Sequence, residues 1–258
     1  MSGLYQVQGI VLSTWDFRET DRLLHILTPS RGKITAIAKG VRKAHSSLRS
    51  GTQRLCLARF LLYDGRSIAT VTQCQVEEFF APLRSNLERL LTACYLAEIA
   101  EVSVPAGQAS PEMFDLLRRS LDLLTRENPP MVARAFEARA LRVLGFAPRL
   151  EACSACGGPL AEGLIPFAPG AGGALCGRCG SQYGAEYRVS REALAVWRNL
   201  ASAGGSHLGR LKISARCRRE LAEILPAYLE YYLDRRLKSR ILMEQIGEDA
   251  YEYGTRKN

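Results

Sequence analysis

The chain has 258 residues, 47% of them hydrophobic, and a formal net charge of +9, which is the composition of an ordinary globular protein with room for a sizeable core. A chain built to span a membrane is excluded on the same grounds, because no uninterrupted apolar run reaches spanning length and even LARFLLY, residues 57–63, contains Arg59. No charged-then-apolar leader opens the sequence, so a cytoplasmic protein is expected.

Residues 4–80 read as strands. LYQVQGIVL, DRLLHILTP, GKITAIAKG, LARFLLY and SIATVTQCQV are short apolar or alternating runs, separated by turn signals at Pro29 to Gly32, Lys39 to Gly51 and Asp64 to Gly65. Five short strands suggest a small closed barrel of the OB-fold type, which binds single strands on one face and its loops; an SH3-like barrel has a similar pattern and stays open as an alternative. Phe60 and Tyr63 are assigned to the barrel core.

Charge is unevenly spread over this region. From Arg22 through Tyr63 there is no Asp or Glu, and nine Lys or Arg residues fall inside the run. Such clustering points to a polyanionic partner, most simply nucleic acid. Arg31, Lys33, Lys39, Arg42 and Lys43 fall on one strand and the loop leaving it, and Ser46, Ser47 and Ser50 give that loop a polar, flexible character around Arg49. These six basic residues are the expected contacts to a phosphate backbone, with affinity but little sequence preference; a solvated face kept basic for solubility is the competing reading. Tyr5, Trp15 and Phe17 could stack bases or belong to the core. Asp16, Glu19 and Asp21 are interleaved with Arg18 and Arg22, which favours a solvated turn over a divalent-metal site.

From Leu83 the period becomes helical. NLERLLTACYLAEIAEVSV is followed by SPEMFDLLRRSLDLLTRE, with Ser110 as N-cap and Pro111 at the first helical position, and by PPMVARAFEARALRVLGF. Each has an apolar and a charged face, so the three are expected to pack as a bundle. After the cysteine region, Ser190 caps a further helix, Gly204 and Gly205 break it, and residues 214–243 are expected to form a long helix interrupted or kinked at Pro226. A second basic block, Arg210 to Arg240, lies here, and the tail YEYGTRKN is expected to fray.

Two Cys-x-x-Cys pairs, Cys153 with Cys156 and Cys176 with Cys179, are nineteen residues apart, the spacing of a four-cysteine zinc ribbon or knuckle. Each turn aims two thiolates at one point, and together they complete a tetrahedron with no open position for water, so the expected cofactor is one structural Zn²⁺. Two disulfides or four free thiols are the alternatives. The stretch between the pairs, with Pro166, Pro169, Gly170, Gly172 and Gly173, packs poorly without such a staple. Cys56, Cys74, Cys94 and Cys217 share no spacing and read as buried free thiols of a reducing compartment. The expected architecture is α+β and multi-domain: an OB-fold barrel at 1–80, a helical domain begun at 81–150, a zinc insert at 151–185, and the helical domain completed at 186–258.

Residues 9–43, GIVLSTWDFRETDRLLHILTPSRGKITAIAKGVRK, resemble the opening of the RecO family of bacterial recombination mediators, and residues 144–157, LGFAPRLEACSACG, resemble that family's passage from helices to zinc knuckle. With the order barrel, helices, cysteines, helices, the resemblance covers essentially the whole chain. It implies a protein of the RecF pathway that binds single- and double-stranded DNA and anneals complementary strands. It also implies partners: RecR, the acidic C-terminal tail of single-strand-binding protein, and RecA, which is loaded onto coated single strands. An apolar pocket ringed by basic residues is implied for that tail, and Arg235, Arg236 and Lys238, beside the helix bearing Tyr228, Tyr231 and Tyr232, are candidates for it.

No phosphate-binding Gly-x-x-x-x-Gly-Lys-Ser/Thr occurs, and His25, His45 and His207 sit in no nucleophile motif, so no enzymatic activity is expected. A zinc-ribbon transcriptional regulator or RNA-binding factor is the alternative of another class.

Overall fold

A computed structural model describes residues 3–65, 68–127, 129–202, 212–243 and 245–246, which form two compact units, residues 1–126 with 237–258 and residues 127–236. The glycine break at Gly204 and Gly205, His207 and the C-terminal tail lie outside the described residues.

In the first unit five strands, β1 (Leu4–Phe17), β2 (Asp21–Thr28), β3 (Gly32–Ala38), β4 (Leu57–Tyr63) and β5 (Ala69–Glu78), close into a barrel in the order β1-β2-β3-β5-β4. The fourteen-residue β1 makes closure possible: Leu4 to Ile10 pairs with β4, Ile10 to Phe17 pairs with β2, and a register shift between Val11 and Ser13 bends the strand from one partner to the other. A short parallel pairing of β3 with β5, Ala36 with Ala69 and Ile37 with Thr70, seals the last edge. This is the five-stranded OB arrangement expected from the sequence. Val7, Val11, Leu24, Ile26, Ala58, Phe60 and Leu62 fill the interior, each large side chain contributing about 1.5–3 kcal/mol by leaving water. Tyr63 is not among them. With Phe60 and Leu62 pointing inward, alternation turns Tyr63 outward, where it is 45% exposed.

The connection from β3 to β4 is compact, contrary to the flexible loop its serines suggest. Backbone N–H groups of Lys43, Ser46, Arg49, Thr52 and Cys56 donate to carbonyls three or four residues earlier, and Val41 and Leu48 insert into the barrel core. Two apolar anchors fix a backbone that composition alone reads as mobile. The turn into β3 depends on Gly32, whose φ is +59° and whose Cβ would lie 1.9 Å from the Gln108 carbonyl oxygen.

Three helices follow: α1 (Ala81–Arg84), α2 (Leu87–Ser103) and α3 (Pro111–Leu124). Asn86 caps α2 by accepting from the Arg89 N–H, whereas Ser110 at the head of α3 makes no side-chain cap bond. α2 packs on β1 and on α3, which explains why both sides of it are apolar. Residues 238–243 are helical and return to this unit: the Glu98 carboxylate of α2 accepts the backbone N–H groups of Lys238 and Ser239.

The second unit holds α4 (Pro129–Val143), a three-stranded sheet of β6 (Leu164–Ala168), β7 (Gly173–Ala174) and β8 (Tyr187–Ser190), the short α5 (Gly177–Gln182), and α6 (Arg191–Ser202) and α7 (Ala215–Leu233). α4 packs on α6 and α7, so the three-helix bundle expected upstream of the cysteines is divided between the units. Phe167, Trp197 and Tyr228 meet at centroid distances of 5.5–5.7 Å in the core. Ser190 caps α6 as expected, accepting from the Ala193 N–H. α7 runs through Pro226 and stops instead at Asp234, whose φ is +49°, with the Arg235 N–H donating to the Glu230 carbonyl.

Candidate nucleic-acid interface and metal site

The six basic residues expected to touch a phosphate backbone fall into three settings. Arg31 lies in the turn before β3; its guanidinium sits 3.8 Å above the Tyr5 ring centroid and 3.5 Å from Asp64. Lys33 lies in β3, and its Nζ donates to the Glu101 carbonyl in the last turn of α2, where the helix dipole favours a cation. Both line a depression of about 320 Å³ with Tyr5, Thr35, Asp64 and Ile68. Lys39 and Lys43 are exposed on the β3–β4 connection and make no ion pair among the described residues.

Arg42 and Arg49 face a second depression of about 460 Å³, which the structure completes with Arg22, Arg54 and Arg84. Asp16 pairs with Arg22 at 3.1 Å and with Arg42 at 3.6 Å. Arg49 donates to the carbonyls of Arg42 and Lys43, Arg54 to those of Leu12 and Cys94, and Arg84 to those of Phe79 and Arg54. Arg54 was visible in the acid-free run. Arg84 carried no sequence signal, since it lies beyond the barrel in a region of balanced charge.

Asp16 and Asp21 of DFRETD are taken up locally. Asp16 holds the two arginines, and Asp21 accepts the Gly40 N–H at 2.8 Å, a bond that draws its carboxyl below the usual range and ties the β3–β4 connection to β2. Of the aromatic candidates, Tyr5 has a ring face covered by Arg31, Phe17 has the Arg18 guanidinium 5.2 Å from its centroid, and Trp15 is 40% exposed with its ring edge-on to His25.

In the second unit all four sulfurs of Cys153, Cys156, Cys176 and Cys179 lie within 4.8 Å of one another, and none is in a disulfide. Cys156 and Cys176 are 3.9 Å apart, close to the roughly 3.8 Å edge of a tetrahedron with metal–sulfur bonds of about 2.3 Å. The first pair sits on a turn in which the Gly157 N–H donates to the Cys153 carbonyl and Gly157 takes φ +75°. The second pair lies at the head of α5. Burial opposes ionisation of Cys153, but backbone N–H groups of Cys176, Cys156 and Ala155 aimed at its sulfur outweigh it and hold the thiol down at about 6. Cys179, crowded by the other three sulfurs, is pushed up to about 12. Four soft donors converging where one is already poised as a thiolate fit a thiophilic metal ion. Gly173 is essential to the enclosure: its φ is +142°, and a Cβ there would lie 2.3 Å from the Arg149 carbonyl oxygen.

Arg235 and Arg236 are exposed in the turn that ends α7, beyond the 57%-exposed Tyr231. Tyr228 is buried, and Tyr232 stacks on Phe146 at 4.7 Å and donates to the Pro169 carbonyl between the cysteine pairs. Lys238 is exposed in the first unit, its backbone N–H held by Glu98.

Comparison with known families assigns nearly the whole chain. Residues 1–80 match the family model described as recombination protein O N terminal, and residues 84–241 match recombination protein O C terminal. The chain belongs to the RecO family. It is 52% identical to the DNA repair protein RecO of Moorella thermoacetica over 100% of this chain and 97% of that protein. It is 38% identical to RecO of Pelotomaculum thermopropionicum over 95% of each, and 34% identical to RecO of Desulforamulus reducens over 98% of each. RecO membership accounts for the sequence motifs at both ends of the barrel-to-cysteine stretch, and no described helix is long and apolar enough to cross a membrane.

Proposed function

We propose that this protein is a DNA repair and recombination mediator: it binds single- and double-stranded DNA with little sequence preference, anneals complementary strands and, with RecR, helps load RecA onto strands coated by single-strand-binding protein. The observation that carries the reading is the acid-free basic run of residues 22–63, folded as strand and connection of an OB barrel in a RecO-family chain. Lys39, Arg42, Lys43 and Arg49 stand exposed on that connection, and Arg31 and Lys33 supply charge beside it. Annealing needs no covalent step: cations that hold two strands offset their repulsion and raise their local concentration. Accordingly no catalytic residue is assigned. Arg235, Arg236 and Lys238 are proposed to meet the acidic tail of single-strand-binding protein, where arginine forks suit a terminal carboxylate. Cys153, Cys156, Cys176 and Cys179 would hold one Zn²⁺, whose chemistry there is structural closure of the insert.

The decisive experiment is annealing of two complementary oligonucleotides coated with single-strand-binding protein, comparing wild type with the Lys39→Ala/Arg42→Ala/Lys43→Ala variant after checking that both are folded. Wild type should accelerate annealing and the variant should lose most of that gain. An Arg235→Ala/Arg236→Ala variant should fail mainly when the coating protein retains its acidic tail. No acceleration by wild type, with single-strand binding intact, would favour a zinc-ribbon regulator or RNA-binding factor.

A further inference from the structure

The depression of about 460 Å³ is lined by five arginines, Arg22, Arg42, Arg49, Arg54 and Arg84, from β2, the β3–β4 connection and α1. They differ from an ordinary basic surface in how they are held. Asp16 is the single carboxylate that pairs with any of the five among the described residues. Three of the arginines are held by neutral main-chain carbonyls: Arg49 by Arg42 and Lys43, Arg54 by Leu12 and Cys94, and Arg84 by Phe79 and Arg54. A carbonyl fixes a guanidinium without neutralising it, so the wall is oriented while its charge is retained. Each arginine has five N–H donors, and these bonds use only some of them. Like charges lining one depression repel, a cost that an anion bound there would reverse.

The rest of the lining is Val41 and Gln53. No aromatic residue is among this lining, and the Phe79 ring beside it is covered by the Arg84 guanidinium 4.0 Å from its centroid, so no free ring face is offered to a base or to a peptide's phenylalanine. Several guanidinium forks exceed what one carboxylate, with two oxygens and one charge, can satisfy, whereas a phosphate group presents tetrahedrally arranged oxygens that forked donors match. Because the donors are already fixed, binding requires little ordering. We infer that this five-arginine depression is a phosphate-binding site that grips the nucleic-acid backbone, with Arg22, Arg54 and Arg84 as ligands beside Arg42 and Arg49. The phosphate could belong to an internal diester or to a strand's 5′ end, and the source of the DNA contact rests on the function proposed above.

The test uses Arg22→Gln/Arg49→Gln, leaving Arg54 and Arg84 in place because they hold core carbonyls. Binding of a circular single strand, a 5′-phosphorylated linear strand and a 5′-hydroxyl linear strand is measured as a function of salt. The variant should bind about tenfold more weakly at low salt, and its log–log salt slope should fall by about 0.7 for each phosphate that it no longer neutralises. That fall on the circular strand supports the site with an internal diester as its ligand; a fall confined to the 5′-phosphorylated strand supports it with the terminal monoester. An unchanged slope on all three overturns it and leaves DNA binding by the rest of the barrel intact. Phosphate stabilises most folds by exclusion from their surface, so the reading independent of DNA is a difference: sodium phosphate over sodium chloride at matched ionic strength should raise the melting temperature of wild type more than that of folded Arg22→Gln/Arg49→Gln. If wild type binds no DNA but shows this excess, the function proposed above fails and the phosphate site stands; an equal shift in both proteins counts against the site.

Discussion

Glu101, in the last turn of α2, joins helix to barrel through three groups: Ser13 Oγ donates to its carboxylate at 2.7 Å, His25 Nδ1 stands against the same oxygen, and Lys33 Nζ donates to its backbone carbonyl. Burial alone would raise its carboxyl, but the bonds from His25 and Ser13 and the nearby charges of His25 and Lys33 outweigh it and hold it below the usual range. A carboxylate whose folded pKa is depressed contributes stability that is complete above its unfolded value, about 4.3 for an ordinary glutamate, and is lost as pH falls through the lower folded one. Glu101→Gln should therefore lower stability near pH 7 by about 1–2 kcal/mol, and urea unfolding of the two proteins should converge once acid has protonated Glu101 in the folded protein. A gap that stays constant as the pH falls would show that shape, not charge, is what Glu101 contributes.

At the scale of elements, α7 illustrates how a helix tolerates a proline. Pro226 lacks the N–H that would bond the Ala222 carbonyl, and Arg134 Nη1 from α4 donates to that carbonyl at 3.1 Å. The other end of the same guanidinium pairs with Glu137, which is fully buried. Arg134→Ala would remove the Arg134 guanidinium from beside a buried carboxylate and leave the Ala222 carbonyl without this donor. The expected loss is about 3–5 kcal/mol, read from denaturant unfolding followed by the fluorescence of the buried Trp197, with Glu137→Gln costing less. Equal stability of Arg134→Ala and wild type would rule out this account. The helix is not interrupted at Pro226, and the carbonyl that the proline leaves without a donor is met by one eighty-eight residues away, which no local window contains.

For the whole molecule, the metal site is the clearest test of how the insert is held. Between the cysteine pairs only the two-residue β7, the five-residue β6 and a short turn are regular structure, and the cluster of Cys153, Leu175 and Cys179 is a small core. Purified protein should carry about one zinc per chain, and chelation should release it, lower the melting temperature and open residues 157–175 to proteolysis. Protein free of bound metal with an equally protected insert would show that side-chain packing suffices. The ring pairs that meet the insert, Tyr232 at the Pro169 carbonyl and Tyr231 over Gly170, give such opening a route to the end of α7.

What the sequence determined by itself is what short-range chemistry encodes. Alternation laid out five strands, turn residues divided them, and two Cys-x-x-Cys pairs marked the four thiols that the fold brings within 4.8 Å of one another, because each signal spans only a few residues of backbone. Tertiary structure decided the rest. It converted a serine-rich connection into an anchored one by burying Val41 and Leu48, and it separated α4 from α2 and α3 by giving their apolar faces different partners. It also gathered Arg22, Arg42, Arg49, Arg54 and Arg84 around one depression. Periodicity fixes which face of an element is apolar, but what that face meets, and which distant charges are thereby brought together, is set by chain closure over tens of residues.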